Sequence, residues 1–266
     1  MKSHFQFLFL LAAFSAALPN AANAQQTSQL PNILSAQPQI SNGTSVMLAG
    51  TITIGTTIGS ISISSSPNGQ SQINLTLPAG SETETRLISR LLRYGTWTDL
   101  AGAQHQVPQQ DLVGPHPAWC FPPFILISGL ASPQYLSADL GPETRNGASV
   151  EHIAFWQNPL TSVPASVQPN IRPQSQYDVY FDPSTLLPVA MTFPRYFDSN
   201  SATQFLAPAP TSSGSMVEEV RYSNYQQVQG VSIPFQLQIL FQGTTFAVIQ
   251  FSSASLTPVT ASAEKR

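Results

Sequence analysis

Six consecutive odd positions, Val231, Ile233, Phe235, Leu237, Ile239 and Phe241, are apolar, and Ser232, Pro234, Gln236 and Gln238 stand between them. A period of two marks a strand with one buried face and one wet face. Gln229-Gly230 and Gln242-Gly243 bound the run, and β-prone stretches lie on either side, so 217–256 reads as an antiparallel meander of three strands. A sheet with one continuous apolar face has to cover it with a helix, a second sheet or a ligand. What covers that face is therefore the functional question.

Upstream, strands are predicted over 46–54, 58–65, 71–77 and 82–92, separated by Gly55, Pro67-Asn68-Gly69 and Pro78-Ala79-Gly80. Periodicity fails over 97–113, which reads as a long loop. The most hydrophobic stretch follows at 122–131; its two leading prolines and the Ser132-Pro133 stop predict a short buried helix. A buried strand is the competing reading, because period alone does not separate short apolar runs. Strands resume at 135–140 and 150–156, with turns at Gly141-Pro142 and Asn146-Gly147. The four prolines of 158–173 predict a loop. A strand at 177–181 turns through Asp182-Pro183-Ser184-Thr185 into another at 186–193, and 198–215 reads as a second loop.

Residues 1–24 carry the marks of an export signal: Lys2 near the start, an apolar run over 5–18, and Ala22-Asn23-Ala24 where a signal peptidase would cut. The apolar run is shorter than the roughly 20 residues of a spanning helix. Cleavage after Ala24 and a periplasmic or secreted product are expected, with no transmembrane anchor in the mature chain. No cysteine stands at the cleavage point, so no lipid anchor is expected. The organisation predicted is a signal at 1–24, a flexible leader at 25–44 with room for one short helical turn, a single β domain at 45–258 and a tail at 259–266.

The formal net charge of −3 argues against a nucleic-acid partner. No lysine occurs between Lys2 and Lys265, which excludes lysine-dependent catalysis or phosphate binding inside the domain. Cys120 is the only cysteine, so no intrachain disulfide forms, and its neighbours Trp119 and Phe121 favour an inert thiol.

Several phrases recur in a family order. Leu140-Gly141-Pro142-Glu143-Thr144-Arg145-Asn146-Gly147, then 150–153, then Tyr180-Phe181-Asp182-Pro183-Ser184-Thr185-Leu186-Leu187-Pro188, then Arg221-Tyr222-Ser223-Asn224-Tyr225, then Gln229-Gly230-Val231-Ser232-Ile233-Pro234-Phe235 resembles the strand and turn series of LolA-like proteins. The resemblance covers roughly 136–256. It implies a mainly β fold in which a curved antiparallel sheet forms a half-barrel with a short buried helix on its concave face. It also implies a cell-envelope protein that carries or binds acylated partners.

Chemistry-bearing residues are sparse. His105, Asp111, His116 and Cys120 lie close in sequence, without a recognised metal-ligand spacing. His152 is predicted to be a satisfied strand histidine, and Asp139 and Glu143 to serve a turn. No nucleophile elbow, His-Glu-x-x-His pair or phosphate-cradling Gly-Lys pair occurs, so no enzyme, metal or cofactor is expected. The candidate ligand-binding set is apolar: Trp119, Phe121, Phe124, Leu126 and Leu130 on the predicted helix, facing Phe235, Leu237, Ile239 and Phe241 on the sheet. These form either an ordinary core or, as the resemblance implies, a gap for an acyl chain, each buried methylene contributing about 0.8 kcal/mol. The function expected is binding of a lipid or lipid-modified partner. The alternative is an envelope interaction module with a self-filled half-barrel whose loops at 97–113 and 158–173 bind another protein.

Overall fold

The computed structural model describes residues 29–36, 44–66, 70–88, 93–107, 112, 135–158, 166, 168–197, 205–208 and 214–258. The predicted signal, the predicted helix at 122–131 and the tail lie outside them. Among the described residues strand accounts for 72%, in one large antiparallel sheet that is not closed, accompanied by two short helices.

The first helix, α1 (Leu30–Ala36), precedes six strands: β1 (Thr44–Ile54), β2 (Thr57–Ser65), β3 (Gln70–Leu77), β4 (Gly80–Ile88), β5 (Arg93–Thr98) and β6 (Gln104–Gln106). Then come β7 (Tyr135–Arg145), β8 (Ala148–Gln157), helix α2 (Gln168–Ser175), β9 (Tyr177–Phe181), β10 (Pro188–Phe197), β11 (Gly214–Val228), β12 (Val231–Phe241) and β13 (Thr244–Pro258). The sheet order is β6-β5-β4-β3-β2-β1-β13-β12-β11-β10-β9-β8-β7. Strands β1 to β6 step outward one by one; β7 begins at the opposite edge and the chain steps back until β13 pairs with β1. The segment between β6 and β7 therefore joins opposite edges of the sheet.

Alternation explains which side is inside. Val46, Leu48, Ile61, Ile63, Ile73 and Leu75 on the first half face the same core as Phe155, Val179, Met191, Leu237, Ile239 and Ile249 on the second. The two meander turns take left-handed backbone at both central residues, with φ of 51° and 82° at Gln229-Gly230 and 50° and 77° at Gln242-Gly243. Paired positive φ values match the twist of the flanking strands in a two-residue hairpin.

The curl is tight. Glu84 on β4 feels the charge of Arg195 on β10, seven strands away in the sheet order. In a flat sheet that separation would be about 34 Å. Arg93 on β5 likewise interacts with Tyr135 on the far edge strand β7, and it donates to the Leu112 carbonyl at 2.8 Å. Helix α1, inside the expected leader, packs on the interior: Ile33 is fully buried and Leu30 and Leu34 pack beside it. The Gln29 backbone N–H donates to Asp139 Oδ2 on β7 at 2.8 Å, which ties the helix start to that edge.

Three predicted features are corrected. Positions read as a loop over 97–113 include the end of β5 and all of β6, which pair through Trp97↔His105. Gly141-Pro142 is not a turn: both residues pair with β8, the register shift between Asp139 and Gly141 places a β-bulge at Leu140, and β7 continues to Arg145. The proline-rich 158–173 overlaps α2. Pro169 sits in its first turn, where no amide donor is needed, and Pro173 lies near its end. Ser175 Oγ donates to the Ile171 carbonyl at 2.6 Å and accepts from the Gln157 N–H at 3.1 Å, which fixes the helix to β8.

Candidate functional site

The concave face is the site built by the most elements. On β12, Phe235, Leu237, Ile239 and Phe241 all point into the core and are buried. Their predicted partners Trp119, Phe121, Phe124, Leu126 and Leu130 lie outside the described residues. Among the described residues, α1, Val107, Leu112 and the 205–206 turn supply the apolar groups that meet the sheet from its inner side.

That apolar interior contains charges the alternation reading passed over. Glu84 and Arg86 on β4, Arg195 on β10 and Glu218 on β11 are each no more than 3% exposed. Arg86 Nη2 lies 3.0 Å from Glu84 Oε2, and Arg195 Nη1 lies 3.3 Å from Glu218 Oε2. Arg195 Nη2 also donates to the Phe205 carbonyl at 3.1 Å. Burial pushes the Glu84 carboxyl above its ordinary value, and the attraction of Arg86 and Arg195 offsets this only in part. Four formal charges that sum to zero thus form a polar island inside a greasy trough. The sequence carried a signal for it: in β4 the core-facing parity falls on Glu82, Glu84 and Arg86, where an ordinary strand would place Val or Ile.

The other candidate residues that are described make local structural contacts. His105 Nε2 lies 2.9 Å from Asp99 Oδ2, and its ring stacks on Trp97 at 4.3 Å. The His105 hydrogen bond, then the Ala103 and Ala101 N–H groups, hold the Asp99 carboxyl below its usual value. Asp111, His116 and Cys120 lie outside the described residues. Among the described residues, no group of three or more His, Cys, Asp or Glu is placed to hold a metal. Asp139 accepts from the Gln29 and Gly141 N–H groups, and Glu143 pairs with His152.

The outer face of the second half has its own network. His152 Nδ1 lies 3.1 Å from Glu143 Oε2, and Nε2 lies 3.1 Å from Asp178 Oδ1. Arg145 stacks over Tyr180 at 4.0 Å and bonds Glu219 at 2.7 Å; Glu219 in turn holds Arg221 at 2.6 Å. Two arginines here share one carboxylate, and Asp182 lines the small cavity of about 180 Å³ beside them.

No protein-family model matches the chain, and no curated protein matches it significantly. Solved structures do. A LolA superfamily protein from Nitrosomonas europaea is 13% identical, over 85% of this chain and 92% of that one, with a TM-score of 0.45. A DUF1329 family protein from Desulfovibrio piger is 10% identical, over 86% and 92% of the two chains, with a TM-score of 0.47. No described helix is long and apolar enough to cross a membrane.

Proposed function

We propose that this chain is an exported, non-enzymatic protein of the cell envelope that binds a lipid or lipid-modified partner through the concave face of its sheet. The observation that carries this reading is the largely apolar trough, interrupted by the charged island, of a tightly curled but open sheet, with a single short helix, α1, laid into it among the described residues. A trough with free edges opens by moving what lies over it, without breaking the strand ladder. The export signal read from residues 1–24 supports the location.

The burial of Phe235, Leu237, Ile239 and Phe241 by the chain itself supports a second reading, in which the trough is self-filled and the loops bind another protein. Native mass spectrometry of residues 25–266, purified from an exporting host and followed by solvent extraction, separates the two. A stoichiometric lipid adduct is expected. A clean apo mass together with no uptake of an apolar dye would overturn the carrier reading in favour of the self-filled one.

A further inference from the structure

A second recognition surface lies on the opposite side of the sheet. A groove of about 650 Å³ opens there at the strand ends of the first half, within the size range of small-molecule sites. Most of the side chains that line it alternate away from the core. Five fall in a single row across five strands, because the registers align Ser255 with Met47, Met47 with Ser64, Ser64 with Gln72, and Gln72 with Thr85. The next row adds Gln70, Leu87 and Tyr94, through Gln70↔Leu87 and Leu87↔Tyr94. Strands β13, β1, β2, β3, β4 and β5 are consecutive in the sheet, so the groove runs about 24 Å across the strands at their usual spacing.

Its chemistry selects the ligand. Among the described residues the one charged lining residue is Arg86, which is buried and paired with Glu84, so the described lining offers an anionic ligand no available cation. Strands β13, β1, β2, β3 and β4 are paired on both sides, so along the groove their backbone groups are committed to the ladder and offer a peptide no edge to extend; on β5 the β6 ladder covers residues 96–98. Among the described lining residues, Val46, Met47 and Leu87 are interrupted by hydroxyls and amides, so these offer an acyl chain no continuous apolar lining. What remains is an array of neutral groups that both donate and accept, Ser64, Gln72, Thr85 and Ser255, with a half-exposed aromatic platform at one end. Tyr94 is 48% exposed, and its hydroxyl accepts from Gln106 Nε2 at 3.3 Å, which orients the ring. Vicinal hydroxyls match such an array, and the C–H face of a sugar ring matches the tyrosine face.

We propose that this groove is a binding site for a neutral oligosaccharide lying across the strands, independent of any ligand in the concave trough. The test is calorimetric titration of the purified chain with two uncharged probes, maltotetraose and the tetramer of N-acetylglucosamine. At least one should bind saturably, and Tyr94→Ala and Gln72→Ala should each weaken it about tenfold or more. Leu140→Ser, on the far half of the sheet, should leave affinity unchanged. Both groove residues are solvent-accessible, so the variants should keep the parent unfolding curve, which circular dichroism checks. Absence of saturable binding of both probes up to about 10 mM, or binding indifferent to both groove substitutions, would overturn the proposal. So would capture of an apolar dye at the groove, lost in Met47→Glu, which would assign it to an acyl chain instead.

Discussion

His152 shows how much one residue's environment adds to its identity. Both ring nitrogens face carboxylates, and only the imidazolium can donate to both at once. Burial alone would lower its pKa; the hydrogen bonds and charge of Asp178 and Glu143 outweigh it, so the imidazole is held above its ordinary value. The Tyr180 ring stands 4.5 Å from the imidazole. A raised folded pKa contributes stability that is complete below the unfolded value near 6.5 and fades as pH rises through the folded value. His152→Gln should therefore cost about 1 kcal/mol in urea unfolding at pH 6 and much less at pH 9. A difference that does not change with pH would mean that the imidazolium is not what the two carboxylates hold. The sequence predicted a satisfied strand histidine, and the structure places it so. It could not name the partners, which lie 9 and 26 residues away and meet it only once β7, β8 and β9 are in register.

At the scale of elements, everything depends on the seam between β1 and β13, where the first half of the sheet is paired to the second. The register there slips between Ala49 and Gly50, and a Cβ on Gly50 would stand 2.1 Å from the Gln250 carbonyl oxygen and 2.6 Å from Phe251 Cα. Both obstacles are backbone, so neither can rotate away. Gly50→Ala should destabilise by about 3 kcal/mol or more and disrupt the pairing of the two halves. Gly55→Ala, in an exposed turn with φ of 58° and open space around it, should cost only about 1 kcal/mol. Amide exchange across β1 and β13 reads the difference. Comparable losses in the two variants would remove the seam from its central place. Strand identity was legible here because Val46, Leu48, Ile61, Ile63, Ile73 and Leu75 alternate cleanly. What escaped was β6, which has three polar-flanked residues, and α2, whose prolines look like loop until their positions within a helix are known. Nothing local in the sequence reports that β1 and β13, some two hundred residues apart, are neighbours.

At the scale of the whole molecule, the curl itself needs an explanation, since a sheet of this length could twist without folding over its own face. The apolar trough supplies most of the driving force, because the inner sides of the two halves bury the same cluster. The charged island sets where they meet. Glu84 and Arg86 come from one wall, Arg195 and Glu218 from the other, and Glu84 feels Arg195 across the trough. Charges in such a place stabilise less than a packed apolar core would, yet removing one leaves its partner buried and uncompensated, at a cost of about 3 kcal/mol or more. Arg195→Met and Glu84→Gln should each be costly alone, and the double variant should lose less than the sum, by about 1 kcal/mol. Additive losses would mean that each wall satisfies its own charges and the halves are held by apolar contact only. A positive coupling carries a further consequence for the proposed trough ligand. Whatever enters between the walls has to separate Glu84 from Arg195 or leave them in place, so the same double variant should alter lipid uptake in the first case and spare it in the second.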